Sequence, residues 1–177
     1  GVTNPDQLRR IADAVDKYHV PLVKITGGQR IDLVGISGDM LSSVWTDLGM
    51  PSGHAYTKAV RTCKTCVGET FCRFGVQDSM ELGIEMEQRY QGIPCPAKIK
   101  MAVSGCPRNC AESGVKDIGV VGIHSGWEIY IGGNGGIKSK VAELLTVVKT
   151  REEVLDITGV FIQYYRENAR WLERTSH

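Results

Sequence analysis

The chain has 177 residues, 42% of them hydrophobic, enough to build a real core in one domain or two small ones. A formal charge of +1 gives no global pull toward nucleic acid or an anionic membrane, and no apolar run approaches the length of a membrane span. The opening GVTNPDQLRR lacks the apolar core of a secretory signal, so a cytoplasmic chain is expected, and Gly1 in place of an initiating Met reads as the end of a fragment.

Asn4 reads as an N-cap and Pro5 as the first helical residue. Leu8, Ile11, Ala12 and Val15 recur at i, i+3, i+4 and i+7, which predicts an amphipathic helix over 5–18, ended before Pro21. LVKIT (22–26) and RIDLVGI (30–36) read as two strands of a hairpin turning at Gly27-Gly28. DMLSSVWTDLG (39–49) reads as a second helix with Gly49 as its stop. Residues 51–75, rich in Gly, Cys and basic residues, read as loop leading into a helix near 76–90. KIKMAV (98–103) is a strand that runs straight into Ser104-Gly105-Cys106. DIGVVGI (117–123) and WEIYIG (127–132) predict a second hairpin about His124-Ser125-Gly126. GGNGG (132–136) follows, either a nest of N–H groups for a carboxylate or a plain turn. Thr150 and Glu153 pair as a capping box, and Val154, Phe161, Tyr165 and Leu172 mark one face of a long final helix. Gly159 costs that helix about 1 kcal/mol.

Five of the six cysteines fall in two groups: Cys63, Cys66 and Cys72 in RTCKTCVGETFC, and Cys106 and Cys110 in VSGCPRNCAESG. In a reducing compartment such clustering favours metal or redox chemistry over disulfides. Two pairs on separate loops suit a cubane iron–sulfur cluster, which needs four thiolates. Cys63-x-x-Cys66 with Cys106-x-x-x-Cys110 suits a structural zinc ion, and buried inert thiols are the third reading. Spacing alone leaves all three open.

Basic residues flank both groups: Lys58, Arg61, Lys64 and Arg73 beside the first, and Lys98, Lys100 and Arg108 beside the second. Alternation along the 98–103 strand sends Ile99, Met101 and Val103 one way and Lys98, Lys100 and Ala102 the other. The two ammonium groups then stand about 6–7 Å apart along the strand, an unfavourable pairing unless an anion lies between them. The four histidines do not cluster, and His54 in PSGHAYTK is the one pocket candidate among them; His19, His124 and His177 read as ordinary positions.

TCVGETFCRFG with PAKIKMAVSGCPRNCAESGVKDIGV resembles the C-x5-C then C-x3-C signature of the siroheme and iron–sulfur nitrite and sulfite reductases. VKITGGQRIDLVGI and DLGMPSGHAYTKAVRTCKTCVG resemble one branch, the C-terminal siroheme-bearing part of NAD(P)H-dependent nitrite reductase large subunits. The resemblance covers about residues 5–172. It implies an α+β fold of a single repeat: a small ferredoxin-like α/β half-domain at 1–55, then a siroheme and iron–sulfur domain at 56–177, a mixed or antiparallel sheet with flanking helices.

The resemblance also implies a set of roles. Cys66, Cys72, Cys106 and Cys110 hold a [4Fe-4S] cluster, with Cys110 bridging to the siroheme iron, and Cys63 and Cys95 fall outside. Siroheme is a polycarboxylate, and Arg30, Arg73, Arg108 and Asn109 are its candidate contacts, Asn109 being equally readable as a turn residue. Lys98, Lys100 and Arg61 match the residues around the bound oxyanion; Arg30 is a looser match, with Gly27-Gly28 where two-repeat relatives carry an arginine. The implied reaction is six-electron reduction of nitrite to ammonia, with sulfite reduction as runner-up, and an iron–sulfur electron carrier without its own substrate as a further alternative. Electrons would come from a flavoprotein domain or a ferredoxin-like partner, since no NAD(P)H- or flavin-binding region is present in these residues. A homodimer or a longer protein would complete the pocket that two-repeat relatives build alone.

Overall fold

The Asn4 side chain accepts the Gln7 N–H at 2.9 Å, and Pro5 opens helix α1, Pro5–Lys17. The computed structural model describes residues 1–53 and 57–177, so His54 lies outside the described residues. The chain divides into two compact units, 1–53 and 54–177. In the first, strands β1 (Leu22–Ile25) and β2 (Ile31–Val34) pair antiparallel, with Leu22 opposite Val34. A single 3-10 turn leads into helix α2, Leu41–Leu48, which Gly49 ends at φ +57°, in the left-handed region that glycine enters without penalty. Ala14, Val44 and Leu48 form a small core with Ile11, Tyr18 and Leu33 packed against it. Lys17 and the Tyr18 hydroxyl both donate to Asp47, at 2.6 and 2.7 Å, and so fasten α1 to α2.

The second unit is a five-stranded mixed sheet in the order β3-β4-β5-β6-β7. Its strands are β3 (Val60–Thr65), β4 (Ile99–Ser104), β5 (Ile118–Ile123), β6 (Gly126–Ile131) and β7 (Glu143–Val148). The first three run parallel, and β5, β6 and β7 are antiparallel neighbours. A one-turn helix α3 (Gly68–Phe71) and the helix α4 (Ser79–Tyr90) link β3 to β4, and α5 (Arg151–Asn168) closes the unit. Cys63, Ile99, Met101, Val103, Ile118, Val120, Trp127 and Ile129 form one core with Leu82, Met86 and Tyr90 of α4 and Val154, Leu155, Ile162 and Tyr165 of α5. That core occupies one side of the sheet, leaving Lys100 on the other, half-buried.

Strands β3 and β7 and the end of α5 depart from the reading of the sequence, as does the one-turn α3 inside the stretch read as loop. Strand β3 lies inside the stretch read as loop: a register irregularity between Val60 and Cys63 spaces its two buried residues by three, which erases the period-two signal. Strand β7 has no expected counterpart, because most of its residues are exposed on both faces and Glu-Leu-Leu-Thr does not alternate. The final helix stops at Asn168, and Leu172 lies beyond it, exposed at φ +66°. Its inward face is Val154, Leu155, Thr158, Ile162 and Tyr165, with Phe161 only half-buried. Gly159 has a packing reason. A Cβ there would lie 3.1 Å from the Tyr90 hydroxyl oxygen, which donates to the Leu155 carbonyl.

The capping box forms as expected: Thr150 Oγ1 accepts the Glu153 N–H at 3.2 Å, and the Glu153 carboxylate accepts the Thr150 N–H at 2.9 Å. Thr150→Ala is expected to lower stability by about 1 kcal/mol, read as a lower urea midpoint with an unchanged slope.

Candidate cofactor and anion site

Strands β3 and β4 are parallel neighbours, so the loops leaving their C-terminal ends emerge side by side. Those loops carry the two cysteine groups. The Cys66 N–H donates to the Val103 carbonyl at 3.3 Å, and the Val76 and Gln77 N–H groups both donate to the Gly105 carbonyl, at 2.9 and 3.1 Å. The Gln77 side-chain amide reaches the Ile123 carbonyl at 2.9 Å, adding the β5–β6 turn to the assembly. The contact leaves no space for side chains. A Cβ on Gly105 would lie 2.8 Å from the Gln77 carbonyl oxygen and 2.9 Å from Gly68 Cα, and Gly68 itself sits at φ +65°.

The approach serves the thiol of Cys66. Its sulfur accepts the Gly105 N–H at 3.1 Å and lies 3.2 Å from the Ser79 hydroxyl. Burial pushes this thiol up, but the Gly105 N–H and the Ser79 hydroxyl outweigh burial and hold it below the ordinary cysteine value. Cys72 follows α3, half-buried, with its N–H on the Gly68 carbonyl at 3.0 Å. Cys106 is buried and Cys110 exposed, at the two ends of a turn closed by the Asn109 N–H on the Cys106 carbonyl at 3.2 Å. Asn109 stands at φ +58°, and its side chain accepts the Gly114 N–H at 3.1 Å, so it braces the turn.

Cys106 also lines a groove of about 530 Å³ with Phe74, Val76, Pro107, Arg108, Ile123 and His124. Arg108 stacks on the Phe74 ring at 3.9 Å, and Arg73 lies over the same ring at 4.5 Å. His124 therefore lines this groove, although the sequence marked it only as a turn residue. The other two cysteines lie elsewhere. Cys63 is 2% exposed, paired across from Met101 in the core, and burial holds its thiol far above the ordinary value. It is unsuited to the zinc site that Cys63-x-x-Cys66 offered, which needs a thiolate. Cys95 is buried, and burial pushes its thiol up to about 11.

The far face of the sheet is basic. Lys98 and Lys100 are half-buried and both sit below the ordinary lysine value. Burial is the main cause for each; Arg61 and Arg174 add to it for Lys98, Lys98 and Arg174 add to it for Lys100, and Asp117 opposes. Lys64 and Lys116 meet on Glu112, at 3.1 and 2.9 Å. Asp117, Glu112, Lys116 and Arg174 were not marked as site residues in the sequence, because no local spacing links Asp117 to Arg174, 57 positions away. Arg30 belongs to the first unit, where its N–H donates to the Thr26 hydroxyl at 3.1 Å. Within GGNGG, Asn134 exchanges both backbone hydrogen bonds with Lys140.

The mixed sheet thus carries two interlocked cysteine loops at one end and a cation-rich face, and among the described residues no three His, Cys, Asp or Glu side chains are grouped closely enough to hold a metal ion. The profile described as the nitrite and sulphite reductase 4Fe-4S domain matches residues 56–177, and that of the nitrite/sulfite reductase ferredoxin-like half domain matches residues 1–50. The chain belongs to the nitrite and sulphite reductase family. It is 64% identical, over 99% of its length, to 22% of the nitrite reductase [NAD(P)H] of Bacillus subtilis (strain 168). It is 41% identical, again over 99%, to 21% of the nitrite reductase (NADH) large subunit of Escherichia coli (strain K12). An assimilatory-type sulfite reductase of Nitratidesulfovibrio vulgaris is 37% identical over 96% of this chain and 78% of that protein. The chain thus spans about a fifth of the nitrite reductases it matches. A dissimilatory sulfite reductase I shares the fold at a TM-score of 0.86 and 16% identity, covering 99% of this chain and 62% of that one.

Gly105→Ala is expected to part the two cysteine loops. Produced with iron, sulfide and siroheme supplied, that variant should lose most of the bound iron measured in the wild type, while Cys63→Ala keeps it.

Proposed function

We propose that this chain is the siroheme- and [4Fe-4S]-binding part of a nitrite reductase, taking nitrite to ammonia in a six-electron reduction. The observation that carries the reading is the interlock of the two cysteine loops, with the Cys66 sulfur hydrogen-bonded one residue from Cys106. N–H dipoles directed at a sulfur favour its thiolate, the form a cluster needs. The 64% identity to a nitrite reductase supports nitrite as the anion.

In this reading Cys66, Cys72, Cys106 and Cys110 would hold the cluster, and the exposed Cys110 would also help to hold the siroheme. When bound, the paired groups supply single-electron delivery and an open iron position for the anion. Arg73, Arg108 and Arg30 offset the macrocycle's carboxylates, with Asn109 holding the turn beneath it. Lys98, Lys100 and Arg61 orient the oxyanion and balance its charge, most strongly as its oxygens leave. A lysine held below its ordinary value by burial and neighbouring cations gives up its Nζ proton more readily, which suits proton delivery.

Six positions separate Lys100 from Cys106, roughly 20 Å of extended chain. The lysines and the thiols of one copy therefore stand at opposite ends of β4. Lys98, Lys100 and Arg61 of a second copy, or their counterparts in another segment of a longer protein, would then complete the set at these thiols, and the lysines of this copy would serve the thiols of the other. Reducing equivalents reach the cluster from an NAD(P)H-oxidising flavoprotein segment or a ferredoxin-like partner, in the cytoplasm. Among the described residues no helix is long and apolar enough to cross a membrane.

Sulfite is the second reading, favoured by the 37% identity to a sulfite reductase of comparable length. Turnover of each anion with an artificial reductant decides between them, with faster nitrite consumption expected. Lys98→Met with Lys100→Met is expected to keep the visible cofactor bands and lower kcat/KM about 100-fold or more. Full activity in that double variant would overturn the lysine assignment. A spectrum with cluster absorption and no tetrapyrrole bands would point to an electron carrier, and a colourless zinc protein to a structural module.

A further inference from the structure

We propose that Asp117 and Arg174 form a positioning pair that sets the placement and charge of Lys98 and Lys100. Only the purpose of those lysines rests on the anion-pocket reading; the pairing stands on its own geometry. Asp117, just before β5, is 1% exposed. A carboxylate so buried keeps its charge only where hydrogen bonds and opposite charge replace water. Its oxygens accept the Lys100 backbone N–H at 2.8 Å, Arg174 Nη2 at 2.9 Å on each oxygen, and the Thr175 hydroxyl at 2.5 Å.

The place of these bonds matters. The β4–β5 ladder starts with Met101 opposite Ile118, so Lys100 and Asp117 stand one residue before it. The Asp117 side chain supplies there the acceptor that the ladder does not yet provide, and so pins the backbone that carries Lys100. Arg174 then ties this junction to the segment after α5. The buried Arg174 Nε has no hydrogen-bond partner among the described residues, so the guanidinium's pairing is concentrated on Asp117.

The surrounding charges are of both signs. The lysine pair lies within electrostatic reach of Arg61 from β3, Arg174 from the segment after α5, and Asp117 from the start of β5. Lys64 and Lys116 are taken up by Glu112. The Tyr165 phenol of α5 and the Cys95 thiol also feel Asp117, and burial holds both neutral. Asp117 thus favours the protonated lysines, while Arg174 both holds Asp117 and repels them. The two partners act on the lysines with opposite sign.

That opposition is the test. The cofactor-loaded full chain is labelled with trace acetic anhydride across a pH series, and acetylation at Lys98 and Lys100 is read by peptide mass spectrometry. Only the neutral amine reacts. Asp117→Asn removes the attracting charge, so the lysines lose their protons at lower pH and label about threefold faster at a fixed pH below the midpoint. Arg174→Gln removes a repelling charge while the Lys100 N–H, the Thr175 hydroxyl and the lysine ammonium groups still surround the Asp117 carboxylate, so they label about threefold more slowly. Arg174→Lys keeps the charge and stays near the wild type.

A merely structural role would loosen the face and speed labelling in both the Asn and the Gln variants. Shifts in the same direction, or no shift, overturn the proposal. Should Asp117→Asn fail to fold, Arg174→Gln against Arg174→Lys still decides, since only loss of charge should slow labelling. The series is repeated with nitrite and with sulfite present. Opposite shifts with protection by either anion support both the pair and the pocket. Opposite shifts without protection support the pair and overturn the pocket reading.

Discussion

Two stretches of backbone meet at Gly68 and Gly105 with no space for a methyl group between them. From that contact the arrangement of the cysteine end follows. Gly105 can turn its carbonyl to the Val76 and Gln77 N–H groups and its own N–H to the Cys66 sulfur only because nothing holds the loops apart. A side chain at Gly105 would separate the loops and take the donor away from the sulfur, while one at Gly68 would press on Gln77 and Ser79; the first changes both the geometry of the thiols and the ease of ionising one of them.

The sheet itself carries a second tension. Strand β4 lies between two parallel neighbours, a setting in which both faces are ordinarily apolar. Here one face is, through Ile99, Met101 and Val103. The other begins with Lys100, beside Lys98, Arg61 and Arg174, and is covered only further along, where Ser113 of the 105–117 connection rests on Gly119. Half-buried cations thus stand around the buried carboxylate of Asp117, where a wholly apolar face would be ordinary.

Reading the sequence recovered what is local. The Asn4 and Thr150 caps, the Gly49 stop, both hairpins and the alternation of β4 each rest on neighbours within a few residues, and each stands as expected. It missed β3 and β7, one because a register shift hides its period and the other because an exposed edge strand needs no apolar alternation. The candidate site divides the same way. The cysteines and twin lysines announce themselves by spacing, whereas the opposition of Asp117 and Arg174 arises only when the chain after α5 returns to the start of β5. Cys63 shows the converse: a spacing that suits a ligand, on a strand that turns its sulfur into the core.

The parallel pairing of β3 and β4 has a consequence for how such a domain can change over time. The two cysteine loops are neighbours because both strands end at the same edge, not because the chain between them has a particular length. Helix α4 only has to return the chain across the sheet. Its length is set by its own packing, through Leu82, Met86 and Tyr90, and not by the spacing of the two cysteine loops. The fold thereby separates a connection tied to the core from two loops in which a single methyl group is too much.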